Sequence, residues 1–323
     1  MTFSNKVVTV FGGTGFLGRY VVGKLAAEGM VIKVPTRAPE KAYHLRTAGT
    51  VGQIAPLACN IYDETSVHQA VKGSDYVVNC IGILYEKGKS RFNAVHTEFP
   101  SALAKICREE GVSRFVHISA LGIEESTADY ARTKLQGEQR VLSSFPKATI
   151  LRPSIIFGPE DNFFNMFAKL SYFIPAFPLI GGGKTKFQPV YVCDVAQAVR
   201  KSFVYTGLAE MDPAGALYEL GGPETLTFKE IYERLFNNTG RKRALIPVPW
   251  NIAKLQGRIL GLLPSPLLTR DQVELLKTDN VVSENARTFE DLGINPTGME
   301  LVLPSYLVKY RKGGKFAQGE KAA

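Results

Sequence analysis

The sequence predicts an α/β protein: a doubly wound parallel sheet with a smaller, mostly helical C-terminal lobe. Three observations carry that reading. The apolar run 6–11 breaks into Gly12-Gly13-Thr14-Gly15-Phe16-Leu17-Gly18, and a helical pattern follows at once. Short apolar runs then alternate with helical patterns as far as Arg152, the rhythm of strand–helix–strand units. After Pro153 the rhythm lapses, and 163–182 is rich in aromatic residues and proline.

The glycine spacing, set between a strand and a helix, is that of a Rossmann-type dinucleotide site. Gly12 takes the tight turn, Gly15 leaves room for a pyrophosphate near the backbone, and Gly18 lets helix and strand pack closely. The first amides of the helix over 16–28 have no partners within it and suit an anion. The second strand spans 31–35. An acidic residue after it would hold both ribose hydroxyls and favour NAD, whereas this chain offers Thr36 and Arg37. Arg37 with Arg19 suits a 2′-phosphate held by forked, charge-assisted bonds, so the expected cofactor is NADPH.

The pattern continues with strands at 53–59, 75–82, 114–119 and 148–152 and helices at 65–73, 93–110 and from Tyr130. Asn60 follows the third strand, near the expected adenine, and Ile81 and Gly82 let the fourth strand's turn pass close to the nucleotide. His117 lies inside a strand pattern and reads as structural. Tyr130 and Lys134 share a helix face, so both suit the cofactor side. In a reductase such a lysine would lower the tyrosine pKa and hold the nicotinamide ribose, while the tyrosine exchanged a proton with a substrate oxygen.

Beyond Arg152, the aromatic stretch 163–182 suits a pocket lid, a partner surface or the packing of a second lobe. Residues 181–183 are a glycine turn, without the context of a phosphate loop. Residues 186–192 are extended, Asp194 is placed to cap a helix at 195–204, and 216–220 is a late strand. Thr227 and Glu230 fit a capping box for a helix at 228–238. The expected division is 1–160 plus about 187–222 for the dinucleotide domain, about 161–186 plus 223–308 for the smaller lobe, and a basic tail at 309–323.

Of 323 residues, 45% are hydrophobic and 21% charged, an ordinary folded composition. The net charge of +9 is regional: 234–270 holds seven basic residues and no acidic one. Within 243–270 the bases mix with many apolar residues, which suits an anionic membrane interface or an acidic protein, or else the solvated rim of a helical lobe. No reading motif supports nucleic-acid binding. Cys59, Cys80 and Cys107 sit in apolar contexts and read as buried, reduced thiols, and neither the cysteine spacing nor four histidines suggests a metal site. The first strand begins near Lys6, so the expectation is that the chain either is made where it works or has lost a presequence, and no apolar run is long enough to span a membrane.

The glycine motif with Tyr130 and Lys134 resembles the extended and atypical short-chain dehydrogenase/reductases. Five stretches are more specific: Tyr130-Ala131-Arg132-Thr133-Lys134, the run 152–161, the run 188–195, Leu268-Thr269-Arg270-Asp271-Gln272-Val273 and Glu290-Asp291-Leu292-Gly293-Ile294. Together these resemble the nucleotide-binding accessory subunit family of respiratory complex I (NADH:ubiquinone oxidoreductase, alpha-subcomplex subunit 9), over about residues 5–305. The resemblance implies a peripheral subunit near the junction of the hydrophilic and membrane arms. It would lie on the cytoplasmic side of a bacterial inner membrane or the matrix side in mitochondria, with 243–270 and the basic tail available to anionic lipid. It also implies a tightly held NADPH that is not the site of NADH oxidation. The nucleotide would be held by Gly12, Thr14, Gly15, Phe16, Leu17, Gly18, Arg19, Arg37, Asn60, Ile81, Gly82, Ser119, Tyr130, Lys134, Pro153, Ser154 and Ile155. Active reductases of the superfamily carry a further hydroxyl after the fifth strand, whereas here Ser119 is followed by Ala120 and Leu121. The connection from Ser119 to Tyr130 is also short, so Ser119, Tyr130 and Lys134 are expected to be catalytically vestigial. The alternative is a free NADP-dependent reductase or epimerase.

Overall fold

The computed structural model describes residues 3–204, 212–264 and 266–314. The chain divides into two compact units: 1–153, 192–220 and 282–295 form the first, and 154–191, 221–281 and 296–323 the second. Residues 315–323 of the basic tail lie outside the described residues.

The first unit is the parallel sheet. Its strands are β1 (Val7–Phe11), β2 (Val31–Thr36), β3 (Ile54–Ala58), β4 (Tyr76–Asn79), β5 (Arg114–Ile118), β6 (Thr149–Pro153) and β7 (Leu217–Leu220). They run in the order β7-β6-β5-β4-β1-β2-β3, every pair parallel. The order reverses beside β1, between β2 and β4, and ligands of such sheets bind at the carboxyl ends of the strands flanking that switch. Helices α1 (Phe16–Ala27), α2 (Glu64–Val71), α3 (Phe99–Glu109), α4 (Asp129–Ser144) and α5 (Val192–Lys201) belong to the same unit. On one sheet face Phe11, Val77, Phe115 and Ile150 pack with Leu103, Ile106 and Val141. Each fully buried side chain of this size is worth about 1.5–3 kcal/mol against exposure.

Several elements differ from the sequence pattern. The helix expected over 93–110 is a π-helical segment, Asn93–Glu98, running into α3. Pro100 has no N–H to offer the His96 carbonyl four residues back. That carbonyl instead faces α4 at Gly137, where an added Cβ would sit 1.9 Å from the oxygen. α5 begins at Val192, so Asp194 lies in its first turn and is not its cap. A 3-10 helix over Pro39–Ala48 has no counterpart in the hydrophobic periodicity. Of the thiols expected to be buried, Cys59 and Cys107 are, but Cys80 is partly exposed.

The second unit joins short strand pairs to helices. Ile156–Phe157 pairs with Val190–Tyr191, Ala176–Ile180 with Ala244–Val248, and Lys186–Phe187 with Leu226–Thr227. The extended stretch at 186–192 is therefore two short strands broken at Gln188-Pro189. The aromatic stretch packs: Phe163, Phe164, Phe167 and Phe177 gather around Phe228, Tyr232 and Phe236, with Phe167 and Tyr232 ring centroids 5.0 Å apart. Tyr172 and Phe173 stay exposed. The capping box is present, with Thr227 N donating to Glu230 Oε2 at 2.7 Å and Glu230 N to Thr227 Oγ1 at 3.2 Å.

The boundaries between units shift from those read in the sequence. Residues 154–160 and 187–191 join the second unit through the strand pair at 156–157 and 190–191. Residues 282–295 return to the first, where Glu219 N donates to Arg287 O and Ser283 N to Glu219 Oε2.

Candidate nucleotide site

The glycine loop joins β1 to α1 at the switch point. Gly12 has φ +77°, and a Cβ on it would lie 3.0 Å from the Cys80 carbonyl carbon and 3.1 Å from Ile81 N. The loop therefore lies directly against the end of β4. A Cβ on Gly18 would meet the Gly12 carbonyl oxygen at 2.0 Å, so the third glycine is demanded by packing. At Gly15 the same added atom meets only Gly12 O, at 3.2 Å, and otherwise finds open space. The turn is held by Gly15 N donating to Gly12 O at 2.9 Å, and Gly15 then caps α1 with no side chain in the way. Thr14, Phe16 and Leu17 complete this loop and the first turn of α1.

Arg19 follows on α1, and its Nε is buried without a hydrogen-bond partner among the described residues. A buried, unpaired guanidinium donor is costly in isolation and fits an acceptor-rich anion. Arg37 is exposed just after β2. Asn60, also exposed, is committed to a turn, with its Oδ1 accepting from Tyr62 N and its N donating to Ser66 Oγ.

The far side of the site is built by β4, β5, the π segment and α4. Lys134 is 3% exposed, and its Nζ donates to Ile118 O at 3.0 Å. Burial pulls its pKa down to about 8, against the pull of Glu138 and Cys80. An ammonium has three donors, and the other two find no partner among the described residues. Gly82 lies over it: a Cβ there would sit 3.4 Å from Lys134 Nζ. Ile81 N is engaged by Asn79 Oδ1 at 3.0 Å and is not free for a ligand. Tyr130 is half-buried, with its ring edge-on to His96 at 5.1 Å and to Phe92 at 6.0 Å. Ser119 is buried with an Oγ that has no partner among the described residues, and its N donates to Leu151 O at 2.7 Å. Pro153 ends β6, where its carbonyl accepts from Leu121 N. Ser154 and Ile155 belong to the second unit, in which Ser154 Oγ donates to Asn280 Oδ1 at 2.6 Å and Ile155 O accepts from Val190 N.

His117 is structural on one side: its Nδ1 accepts from Asn79 Nδ2 at 3.1 Å, which fixes the proton on Nε2. That Nε2 is buried and unpartnered among the described residues. Burial, then the Lys134 charge, lower its pKa to about 3.

A family model described as the NAD dependent epimerase/dehydratase family matches residues 8–203. The chain is 37% identical to the NADH dehydrogenase [ubiquinone] 1 alpha subcomplex subunit 9 of Arabidopsis thaliana, over 96% of this chain and 79% of that protein. It is 33% identical to the NADH-ubiquinone oxidoreductase 40 kDa subunit of Neurospora crassa, over 98% of this chain and 82% of that one. The chain belongs to the alpha-subcomplex subunit 9 family. Among solved structures, an NADPH-dependent quinone oxidoreductase of Escherichia coli, complexed with NADPH, superposes with a TM-score of 0.72 at 19% identity, covering 93% of this chain and 98% of that one, a likeness of fold.

Reading the sequence of this family member residue by residue misses His96. It is 1% exposed and stacked on Phe92 with centroids 5.4 Å apart. Its Nε2 accepts from Ile83 N at 3.1 Å, and its Nδ1 bonds Thr133 Oγ1 at 3.2 Å. No spacing within 93–110 announces that partnership, because Ile83 and Thr133 lie on other elements.

Proposed function

We propose that this chain is an accessory subunit of respiratory NADH:ubiquinone oxidoreductase that holds NADPH as a tightly bound structural cofactor and is not itself the site of NADH oxidation. The observation that carries this reading is a pair of buried groups without partners among the described residues, Arg19 Nε and Ser119 Oγ, together with the buried Lys134 ammonium, whose Nζ donates to Ile118 O, in the unit that carries the glycine loop. Donors without acceptors fit a polyanionic, hydroxyl-rich ligand. The loop amides would receive the pyrophosphate, Arg37 with Arg19 would hold the 2′-phosphate, and Lys134 would hold ribose hydroxyls. When bound, the nicotinamide would supply hydride chemistry. The short connection after Ser119 argues against turnover, because it packs Leu121, Ile123 and Ala128 into the protein.

The reading extends to a membrane surface. Helix Trp250–Leu260 buries only Ala253 and Gly257, while Ile252, Leu255 and Ile259 are exposed, and Leu262, Leu263 and Leu267 continue the apolar surface. Lys254 and Arg258 are the charges on that helix. An apolar stripe flanked by bases suits an anionic membrane interface, beside other subunits at the junction of the two arms. No helix among the described residues is long and apolar enough to cross a membrane.

Gentle solubilisation, capture of this chain, and identification of both co-purifying proteins and extracted nucleotide test the proposal. Recovery with the core subunits and near-stoichiometric NADPH is expected. The Tyr130–Lys134 pair favours a second reading, a free NADP-dependent reductase or epimerase. Recovery of the chain alone, with loosely held nucleotide consumed by a substrate, would establish that reading instead.

A further inference from the structure

We infer that His96 is a positioning residue that clamps the loop after β4 to α4 and thereby sets the nicotinamide end of the nucleotide site. The inference rests on the nucleotide reading above. Ile83 N can only donate, so His96 Nε2 is the acceptor and the proton sits on Nδ1. That N–H donates to Thr133 Oγ1, whose own hydroxyl donates to Asp129 O at 2.8 Å. One imidazole thus ties the backbone of the β4 loop to the first turns of the helix that carries Tyr130 and Lys134.

The loop so tied is central to the site. Ile81 abuts Gly12 of the glycine loop, and the Gly82 Cβ position lies 3.4 Å from Lys134 Nζ and 4.0 Å from His96 Nε2. The ring is also fixed from its faces and edges, stacked on Phe92 with Tyr130 edge-on. The clamp needs a neutral imidazole, since a second proton would remove the acceptor. Burial, then the charge of Lys134, keep it neutral, with a pKa of about 2. Thr97 adds a parallel tie, its Oγ1 donating to Thr133 O at 2.9 Å.

Two probes separate the clamp from the fold: NADPH, which spans the whole site, and adenosine 2′,5′-bisphosphate, which reaches only the adenine half. Losing one buried hydrogen bond that orders a loop predicts that His96→Leu weakens NADPH roughly ten-fold. Adenosine 2′,5′-bisphosphate should bind within about two-fold of wild type. His96→Gln, which keeps an acceptor for Ile83 N, should recover most of the NADPH affinity and the wild-type fluorescence of bound NADPH. Unchanged NADPH binding in His96→Leu, or equal losses for both probes, would overturn the clamp while leaving the nucleotide reading standing. A wild-type protein that binds neither probe would overturn the nucleotide reading and the clamp with it.

Discussion

Gly18 and Gly12 are packed so closely that an added Cβ on Gly18 would sit 2.0 Å from the Gly12 carbonyl oxygen, and 2.7 Å from the carbonyl carbon. Backbone, and not a yielding side chain, is the obstacle. Gly18→Ala must therefore push α1 away from the loop, and overpacking of this kind costs about 1–3 kcal/mol. Gly15→Ala meets only one atom, at 3.2 Å, and should fold almost normally. Urea midpoints and nucleotide affinity separate the two: Gly18→Ala lowers both, whereas Gly15→Ala lowers affinity alone. Equal stability of the two variants would contradict the packing argument.

Arg37 is exposed after β2 with no acidic residue beside it in the sequence, so its charge is available to a 2′-phosphate. Charge-assisted bonds of about 1.5–3 kcal/mol correspond to roughly 10–100-fold in affinity. Arg37→Asp should weaken NADPH by that factor and leave NADH little changed. Titration of both nucleotides checks it, and equal losses would remove Arg37 from the 2′-phosphate site.

The parts of this architecture that local sequence encodes are the parts a reader of the sequence can find. The glycine loop, the six strands through Pro153 and the Thr227–Glu230 capping box each depend on residues within a few positions of one another. What stays hidden depends on distant partners. His96 gains its meaning from Ile83 and Thr133, and residues 282–295 return to the first unit through Glu219. The break at Asn93–Glu98 has a local cause in Pro100, but its purpose is the approach of Gly137 from α4. Ser119 and Lys134 were legible as candidates, whereas their burial was not, because burial is set by the whole unit.

Acid should destabilise the first unit before its carboxylates titrate. His96 and His117 are held near 2 and 3 in the folded protein, far below the ordinary imidazole value of 6.5, chiefly by burial. Above about pH 6.5 both folded and unfolded states are neutral at these sites and nothing is lost. Below it the unfolded chain takes protons that the folded one refuses, so stability falls with pH at about 1.4 kcal/mol per unit for each histidine. Urea midpoints between pH 6.5 and 4.5 should drop steeply, and His96→Gln with His117→Asn should flatten the slope. A wild-type midpoint that does not move over this range would refute it.

Arg152 on β6 forms a buried fork with Glu138 of α4, its Nε donating to Oε1 at 2.9 Å and its terminal nitrogen to Oε2 at 2.6 Å. Glu219 of β7 lies 3.6 Å away and is also buried, and the exposed Glu124 adds a bond at 2.8 Å. Removing the arginine strands two buried carboxylates, so Arg152→Met should cost about 3–5 kcal/mol in thermal or urea unfolding. Adding Glu138→Gln should recover part of that loss. Arg152→Lys should fall between, because a lysine keeps the charge without the fork.

The exposed apolar surface of helix Trp250–Leu260 separates a membrane role from a structural one. Leu255 and Ile259 are 57% and 62% exposed, so replacing both with glutamate removes little packing. Stability should stay within about 0.5 kcal/mol of wild type, as for other exposed positions. Association with vesicles containing anionic lipid should fall sharply, since two acidic groups replace apolar contacts and oppose the surface potential. Vesicle sedimentation at low and high salt reads this directly. If the double variant sediments like wild type, the helix does not face lipid. If its unfolding midpoint collapses as well, the side chains are packed against protein, and the bases at Lys254 and Arg258 form only a solvated rim.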